Sequence, residues 1–246
     1  MSTSINMRNA FFSKMKNAEI AIIFTNLYNF IEDNGSNLWL VGGQIRDYVY
    51  QHQPKDTDLA TNCDVRLIYK YLKNVDSNAL KMKYYSKYKT LTIQIANNQL
   101  NIAQLRSEIY DYKTNDILLS FHNSIRKDLL RRDFTMNSIA IDLNIKNVAS
   151  FIDPHRGFED LQNKILRSHH NNSYADDPTR ILRAARYVAK YNLILAKNEY
   201  ANIQNGLKRM YLISMEKFNR EIYYINEEES RDISMDILSK WGVKIK

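Results

Sequence analysis

A chain of 246 residues is long enough for one large domain or two small ones. It carries 35 Lys+Arg against 27 Asp+Glu, a formal net charge of +8, a balance that suits polyanion partners such as nucleic acid or nucleotides and equally suits a merely soluble basic surface. The single cysteine, Cys63, excludes an intramolecular disulfide framework and a Cys-cluster zinc site, and no apolar run approaches the ~20 residues of a membrane span.

The N-terminal stretch MSTSINMRNAFFSKMKN holds basic and hydroxyl side chains and no acid. It reads as the start of a first helix and equally as a weak organellar transit signal. Residues 17–32 space apolar side chains at helical intervals. Residues 38–41 form a short apolar strand that stops at Gly42 and Gly43, and QIRDYVYQ follows as a short helix. DTDLAT reads as a strand and DVRLIYKYLKN as a helix. KTLTIQIANNQLNIAQL alternates on both sides of Asn97 and Asn98, the pattern of a hairpin. Residues 133–143 and 148–152 are further short strand candidates, and beyond about residue 160 only helical patterns remain. The expected fold class is α+β: a small mixed sheet flanked by helices over 1–160, then an all-helical region over 161–246.

Asp56 and Asp58 lie two apart, so on a strand they share a face. Two such carboxylates repel each other unless cations lie between them, and oxygen ligands of this kind suit Mg²⁺. Gly42 and Gly43 let a backbone approach a phosphate closely, and the helix after them offers its N-terminus to an anion. Together these features describe a site for a metal-bound nucleoside triphosphate. Either alone is weak, since a D-x-D and a GG both arise often by chance. Further along, Pro178 fits a first helical position with Asp177 as N-cap. Asp177, Arg180 and Arg183 then fall on one face of that helix, while Ile181, Leu182, Ala184, Ala185 and Val188 cover the other.

LVGGQIRD followed by DTDLAT resembles the first motif of class II tRNA nucleotidyltransferases, the CCA-adding enzymes, and of the related bacterial poly(A) polymerases. DLLRRDFTMNSIAID resembles the family's RRDFT-x-NA motif. FIDPHRGFEDLQNKILRS resembles its DP-x-x-G-x-x-DL segment, and DDPTRILRAARYVAKY its ED-x-x-R-x-x-R nucleotide-selecting helix. ISMEKFNREI is a weaker match to the S-x-E-x-x-x-x-E neck element. The likeness runs from about residue 20 to 225.

The resemblance implies a nucleotidyltransferase palm followed by a helical neck. It also implies template-independent addition of CMP and AMP, from CTP and ATP, to a tRNA 3′ end. Asp56 and Asp58 would be both catalytic residues and ligands of two Mg²⁺ ions. Gly42, Gly43 and Arg46 would face the triphosphate, or Arg46 would only pair with Asp47. Arg132, Asp133 and Asn137 would lie near the ribose, or form a buried network. Asp177 and Arg180 would read the Watson–Crick edge of C or A, with Arg183 on the same face; alternatively Asp177 only caps its helix. The implied partners are the tRNA acceptor stem, CTP and ATP, with no membrane. A homo-oligomer and either a cytoplasmic or an organellar-matrix location are compatible with the sequence.

Four departures qualify this picture. Asn101 stands where the family usually has a Glu near the metals. Lys89 replaces the glycine of a KYGT hairpin entry. KTNDILLSF replaces the loop RRP-x-x-V-x-F that helps the switch from C to A addition. The chain also stops soon after the neck, so body and tail domains that grip the tRNA elbow are expected to be missing, and an acceptor-stem minihelix is expected to serve nearly as well as whole tRNA. Partial specificity (CC-adding, A-adding or poly(A) addition) and a non-catalytic RNA-binding relative are the alternatives.

Overall fold

The computed structural model describes residues 2–14, 18–52, 56–75, 81–95, 98–111, 116–144 and 151–244. The chain divides into two compact units. One comprises Met1–Glu108, Leu119–Arg131 and Asn137–Pro154, the other Ile109–Leu118, Arg132–Met136 and His155–Lys246.

The first unit is built on a seven-stranded sheet. Its elements in chain order are α1 (Ser2–Lys14), α2 (Ala18–Asp33), β1 (Leu38–Val41), α3 (Gly43–Val49), β2 (Asp56–Thr61), α4 (Val65–Val75), β3 (Lys81–Tyr85), β4 (Thr90–Ile95) and β5 (Asn98–Gln104). A separate two-stranded ribbon follows, β6 (Arg106–Tyr110) with β7 (Ile117–Phe121), of which Ile109–Tyr110 and Ile117–Leu118 are assigned to the second unit; then come α5 (Ile125–Leu130), β8 (Ala140–Asp142) and β9 (Phe151–Ile152). The large sheet runs β3-β4-β5-β2-β1-β8-β9, with β2 and β5 parallel and every other pair antiparallel.

Period-2 alternation decides which face is dry. Leu91, Ile93, Ile102 and Leu59 are fully buried, and α4 covers β3, β4 and β5 with Val65, Ile68 and Leu72. Helix α2 packs in turn on α4. On the opposite face, Trp39, Val41, Ala60 and Ala140 are covered by Ile125 and Leu129 of α5. That cover ends at Ala60. The remaining cross-strand rows on this face are polar and half-buried or exposed, and Asp56 and Asp58 stand there.

The second unit contains α6 (Gly157–Gln162), β10 (Ile165–Leu166), α7 (Ser173–Asp176), α8 (Thr179–Tyr191), β11 (Ile194–Leu195), α9 (Glu199–Leu207), α10 (Met215–Asn226) and α11 (Arg231–Trp241). Phe134 is fully buried here, with its ring 6.2 Å from that of Tyr174 and 5.8 Å from that of Tyr187. Burying a side chain of that size contributes about 2–3 kcal/mol. Among the described residues no helix is long and apolar enough to cross a membrane.

Several sequence expectations need adjustment. The strand expected over 133–143 is only Ala140–Asp142; before it the chain makes a single bridge at Phe134 and a 3₁₀ turn at Thr135–Asn137. The strand expected over 148–152 is described only from Phe151, and the turn at Asn97 lies outside the described residues. The all-helical expectation after residue 160 misses the two-residue parallel pair β10–β11. Strands that short carry no readable alternation.

Candidate functional site

Asp56 and Asp58 project from β2 on the open face of the sheet, Asp56 exposed and Asp58 half-buried. Strand β5 pairs in parallel register, placing Gln99 beside Asp56 and Asn101 beside Asp58. The Asn101 Nδ2 donates to Asp58 Oδ1 at 3.1 Å. The amide is turned that way because its Oδ1 accepts from Thr92 Oγ1 at 3.0 Å and from Gln99 Nε2 at 3.3 Å. One carboxylate oxygen of Asp58 is thereby held by a neutral donor. Among the described residues no group of three or more His, Cys, Asp or Glu side chains could hold a metal. Two carboxylates on one face still fit Mg²⁺, which binds through one or two carboxylates and takes substrate phosphates and water for the rest.

The two glycines precede this strand for different physical reasons. Gly42 has φ 77, a conformation side chains resist. A Cβ on Gly43 would meet Arg46 Nη2 at 2.8 Å, so the missing side chain makes room for the guanidinium. Arg46 is buried. Its Nε and Nη2 donate to Asp47 Oδ1 at 3.0 and 2.8 Å, and its Nη1 donates to Asn137 Oδ1 at 2.8 Å. The local Arg46–Asp47 pair weighed from the sequence is therefore present, and it also ties α3 to the turn that carries Asn137.

Asp133, Asp177, Arg180 and Arg183 gather in the second unit. The Asp177 backbone is extended, and its Oδ1 accepts from the Thr179 N–H at 3.1 Å and the Thr179 hydroxyl at 2.5 Å. It thus caps α8 through the second helical amide, although the assigned helix begins at Thr179. Its Oδ2 takes Arg183 Nη2 at 3.0 Å. Burial pushes the Asp177 carboxyl up, but Arg183, Thr179 and Arg180 outweigh it and hold the carboxyl below its ordinary value. Arg183 also reaches Asp133 Oδ2 at 3.3 Å, while Asp133 Oδ1 accepts from the Phe134 N–H at 2.9 Å. A carboxylate has about four acceptor positions, so Asp177 keeps one beyond its three partners.

Arg180 is buried, with Nη1 donating to Ser173 Oγ at 2.6 Å and Nη2 3.5 Å from the Tyr110 hydroxyl. Arg132, half-buried, precedes Asp133 in the same turn. Asn137, grouped with Arg132 and Asp133 in the sequence motif, belongs to the first unit, and those two to the second.

Sequence reasoning missed several members of this cluster. Thr179 holds Asp177, and Ser173 and Tyr110 hold Arg180, but none of the three carries a motif signal of its own. Glu221 of α10 is legible in the sequence only as the last letter of the weak S-x-E-x-x-x-x-E match; buried beside Arg183, Arg186 and Arg220, it has a carboxyl that burial raises above its usual range despite those cations. His169 faces the His155 ring at 4.6 Å between centroids. Burial first and His155 second push its imidazole down to about 3, with Asp133 and Arg180 also in its field.

Residues 38–167, more than half of the chain, match the family profile described as the poly A polymerase head domain. The chain belongs to that family. Among curated relatives, the A-adding tRNA nucleotidyltransferase of Halalkalibacterium halodurans is 36% identical over 157 residues, covering 63% of this chain and 36% of that protein. The CC-adding tRNA nucleotidyltransferase of the same organism is 27% identical over 217 residues, covering 87% of this chain and 50% of the other. In three dimensions the chain resembles a CCA-adding enzyme in its apo form II, with TM-score 0.79 and 26% identity over 96% of this chain and 55% of that one. The chain therefore spans half or less of the length of these two curated relatives.

Proposed function

We propose that this protein is a template-independent tRNA nucleotidyltransferase that adds CMP and AMP, from CTP and ATP, to a tRNA 3′ end. The observation that carries this reading is the Asp56–Asp58 pair on the open face of a palm-like sheet in a chain of the poly A polymerase head-domain family. In the reaction the tRNA 3′-oxygen bonds to the α-phosphorus, the bond between the α-phosphorus and its bridging oxygen breaks, pyrophosphate leaves, and the hydroxyl proton is lost.

Asp56 and Asp58 would hold two Mg²⁺ ions, which when bound supply charge neutralisation at the triphosphate and activation of the hydroxyl. Asn101 fixes the rotamer of Asp58. The Gly42–Gly43 turn presents backbone to the triphosphate, and Arg46 braces that turn from beneath. Arg132, Asp133 and Asn137 are assigned to the ribose. Asp177 accepts from the exocyclic amine of C or A, and Arg180 donates to ring acceptors. Arg183 keeps Asp177 ionised and oriented for that task. The catalytic head corresponds to 1–160 in this reading and the nucleotide-selecting neck to 161–246. The tRNA acceptor stem is the RNA partner.

A second reading limits the activity to CC or A addition. It is favoured by the altered loop KTNDILLSF and by the likeness to both an A-adding and a CC-adding enzyme of one bacterium. Product sizing separates the two readings. Transcripts ending before the CCA, after its first C and after CC are each supplied with CTP, ATP or both. Completion of all three ends supports the full activity. Extension only to CC, or only from CC, supports the narrower one, and no extension of any end overturns both.

A further inference from the structure

The register of the large sheet carries the polar face outward from the carboxylates to its free edge. Residues paired across neighbouring strands share a face. One row runs Asp58–Asn101–Thr92–Lys83, and the next Asp56–Gln99–Gln94–Lys81. Each row therefore begins at a carboxylate and ends at an exposed lysine of β3. Tyr85 continues this face, 40% exposed, with Lys83 Nζ 4.9 Å from its ring centroid. In the following turn Lys87 lies 5.7 Å from the ring of Tyr88, itself 38% exposed.

We propose that this open face is a track for the single-stranded 3′ end of an RNA, with Lys81 and Lys83 contacting its phosphates and Tyr85 offering a ring to a base. Strands β5 and β4 separate β2 from β3, so the lysines stand about 14 Å from the carboxylates at ~4.8 Å per strand. That exceeds the ~8–10 Å screening length of physiological salt, so the lysines are not counter-ions of Asp56 and Asp58. A ligand that meets both ends of the rows must carry anionic groups spread over that length, as a polynucleotide does. Alternating cations and exposed rings match single-stranded RNA, in which phosphates repeat and every base has a face to stack. Calling the inner end of the track the point of chemistry rests on the function proposed above.

Lysines on an edge strand also prevent edge-to-edge association, and the test separates that role from RNA contact. Replacing Lys81 and Lys83 by Glu keeps the edge charged while reversing its sign. A control with Lys197→Glu and Lys244→Glu lowers the net charge equally at exposed positions of the second unit. Binding of a fluorescein-labelled 12-nucleotide oligo(C) RNA is measured by anisotropy from 50 to 300 mM salt, alongside the apparent KM for CTP. The proposal expects a tenfold or greater loss of RNA affinity in the Lys81/Lys83 variant alone. Its log K against log[salt] slope should be shallower by about 1.4, which is two phosphates at ~0.7 each, with the CTP KM unchanged. Equal losses in both variants overturn it, as does a raised CTP KM with RNA affinity intact. The anisotropy arm needs no turnover, so a wild-type protein that adds no nucleotide would refute the proposed function while the relative RNA affinities and salt slopes of the two variants still decide the track.

Discussion

The Asn101 amide donates to one oxygen of Asp58 across the parallel β2–β5 pair, 3.1 Å apart. An acid at this position would instead face Asp58 as a second negative charge. With Asn101 the chain holds its carboxylate geometry through a neutral hydrogen bond, and this pair can be held in the absence of a cation.

That arrangement predicts the behaviour of Asn101→Asp. Without divalent ions the variant should melt below wild type, because a net hydrogen bond of ~1 kcal/mol is lost and replaced by repulsion. Millimolar Mg²⁺ should restore more stability to the variant than to wild type. Differential scanning calorimetry with EDTA and with Mg²⁺ reads both effects. Equal melting temperatures in EDTA would mean the amide does not support Asp58.

Asp177 serves its helix and, in the proposed function, the base. Asp177→Ala should cost about 1 kcal/mol through the lost cap, or ~2–4 °C in Tm for a chain of this size. It should also raise UMP incorporation relative to CMP. A variant that loses the stability but keeps full nucleotide choice would confine Asp177 to capping.

His169 gives a pH signature. Its folded value lies at about 3, below the ordinary 6.5. Between these limits the unfolded chain binds a proton that the folded chain refuses, so stability falls as pH drops from 6.5 towards 3. From pH 6.5 to 5, above the carboxylate range, His169→Asn should flatten the slope of Tm against pH. A variant with the wild-type slope would place the acid sensitivity elsewhere.

The legible parts of this fold are those with long periodic signals. DTDLAT and DVRLIYKYLKN became β2 and α4 with nearly the expected bounds, because alternation and a helical stripe both report burial directly. The sequence carries no readable signal for the edge strand β3 or the β6–β7 ribbon. KMKYY buries no side chain fully, and ILLSF is only half-buried at alternate positions, so neither shows a core stripe. At the site, carboxylates, glycines and arginines were visible as motif letters. Their distant supports were not: Thr92, Ser173 and Tyr110 come from other elements, and spacing along the chain does not encode a contact made in three dimensions, whereas Thr179 is the local partner of the Asp177 cap. Arg46 shows the same limit, since its position was readable but its fold-back over Gly43 onto Asp47 and Asn137 was not.

Removing the carboxylates one at a time tests the metal-holding role proposed for them. Asp56→Asn and Asp58→Asn should each reduce nucleotide addition to background while leaving the melting temperature in EDTA within a few degrees of wild type, since neither side chain packs in the core. Loss of activity together with collapse of the fold would indicate a structural role instead.

The most direct measurement offers a tRNA transcript ending before its CCA to the purified protein with Mg²⁺ and each α-labelled nucleoside triphosphate in turn, beside the Asp58→Asn variant. The account predicts label from CTP, label from ATP once C residues are in place or the end is pre-formed, little from UTP or GTP, and none with the variant. Label from all four nucleotides alike, or undiminished label with Asp58→Asn, would contradict it.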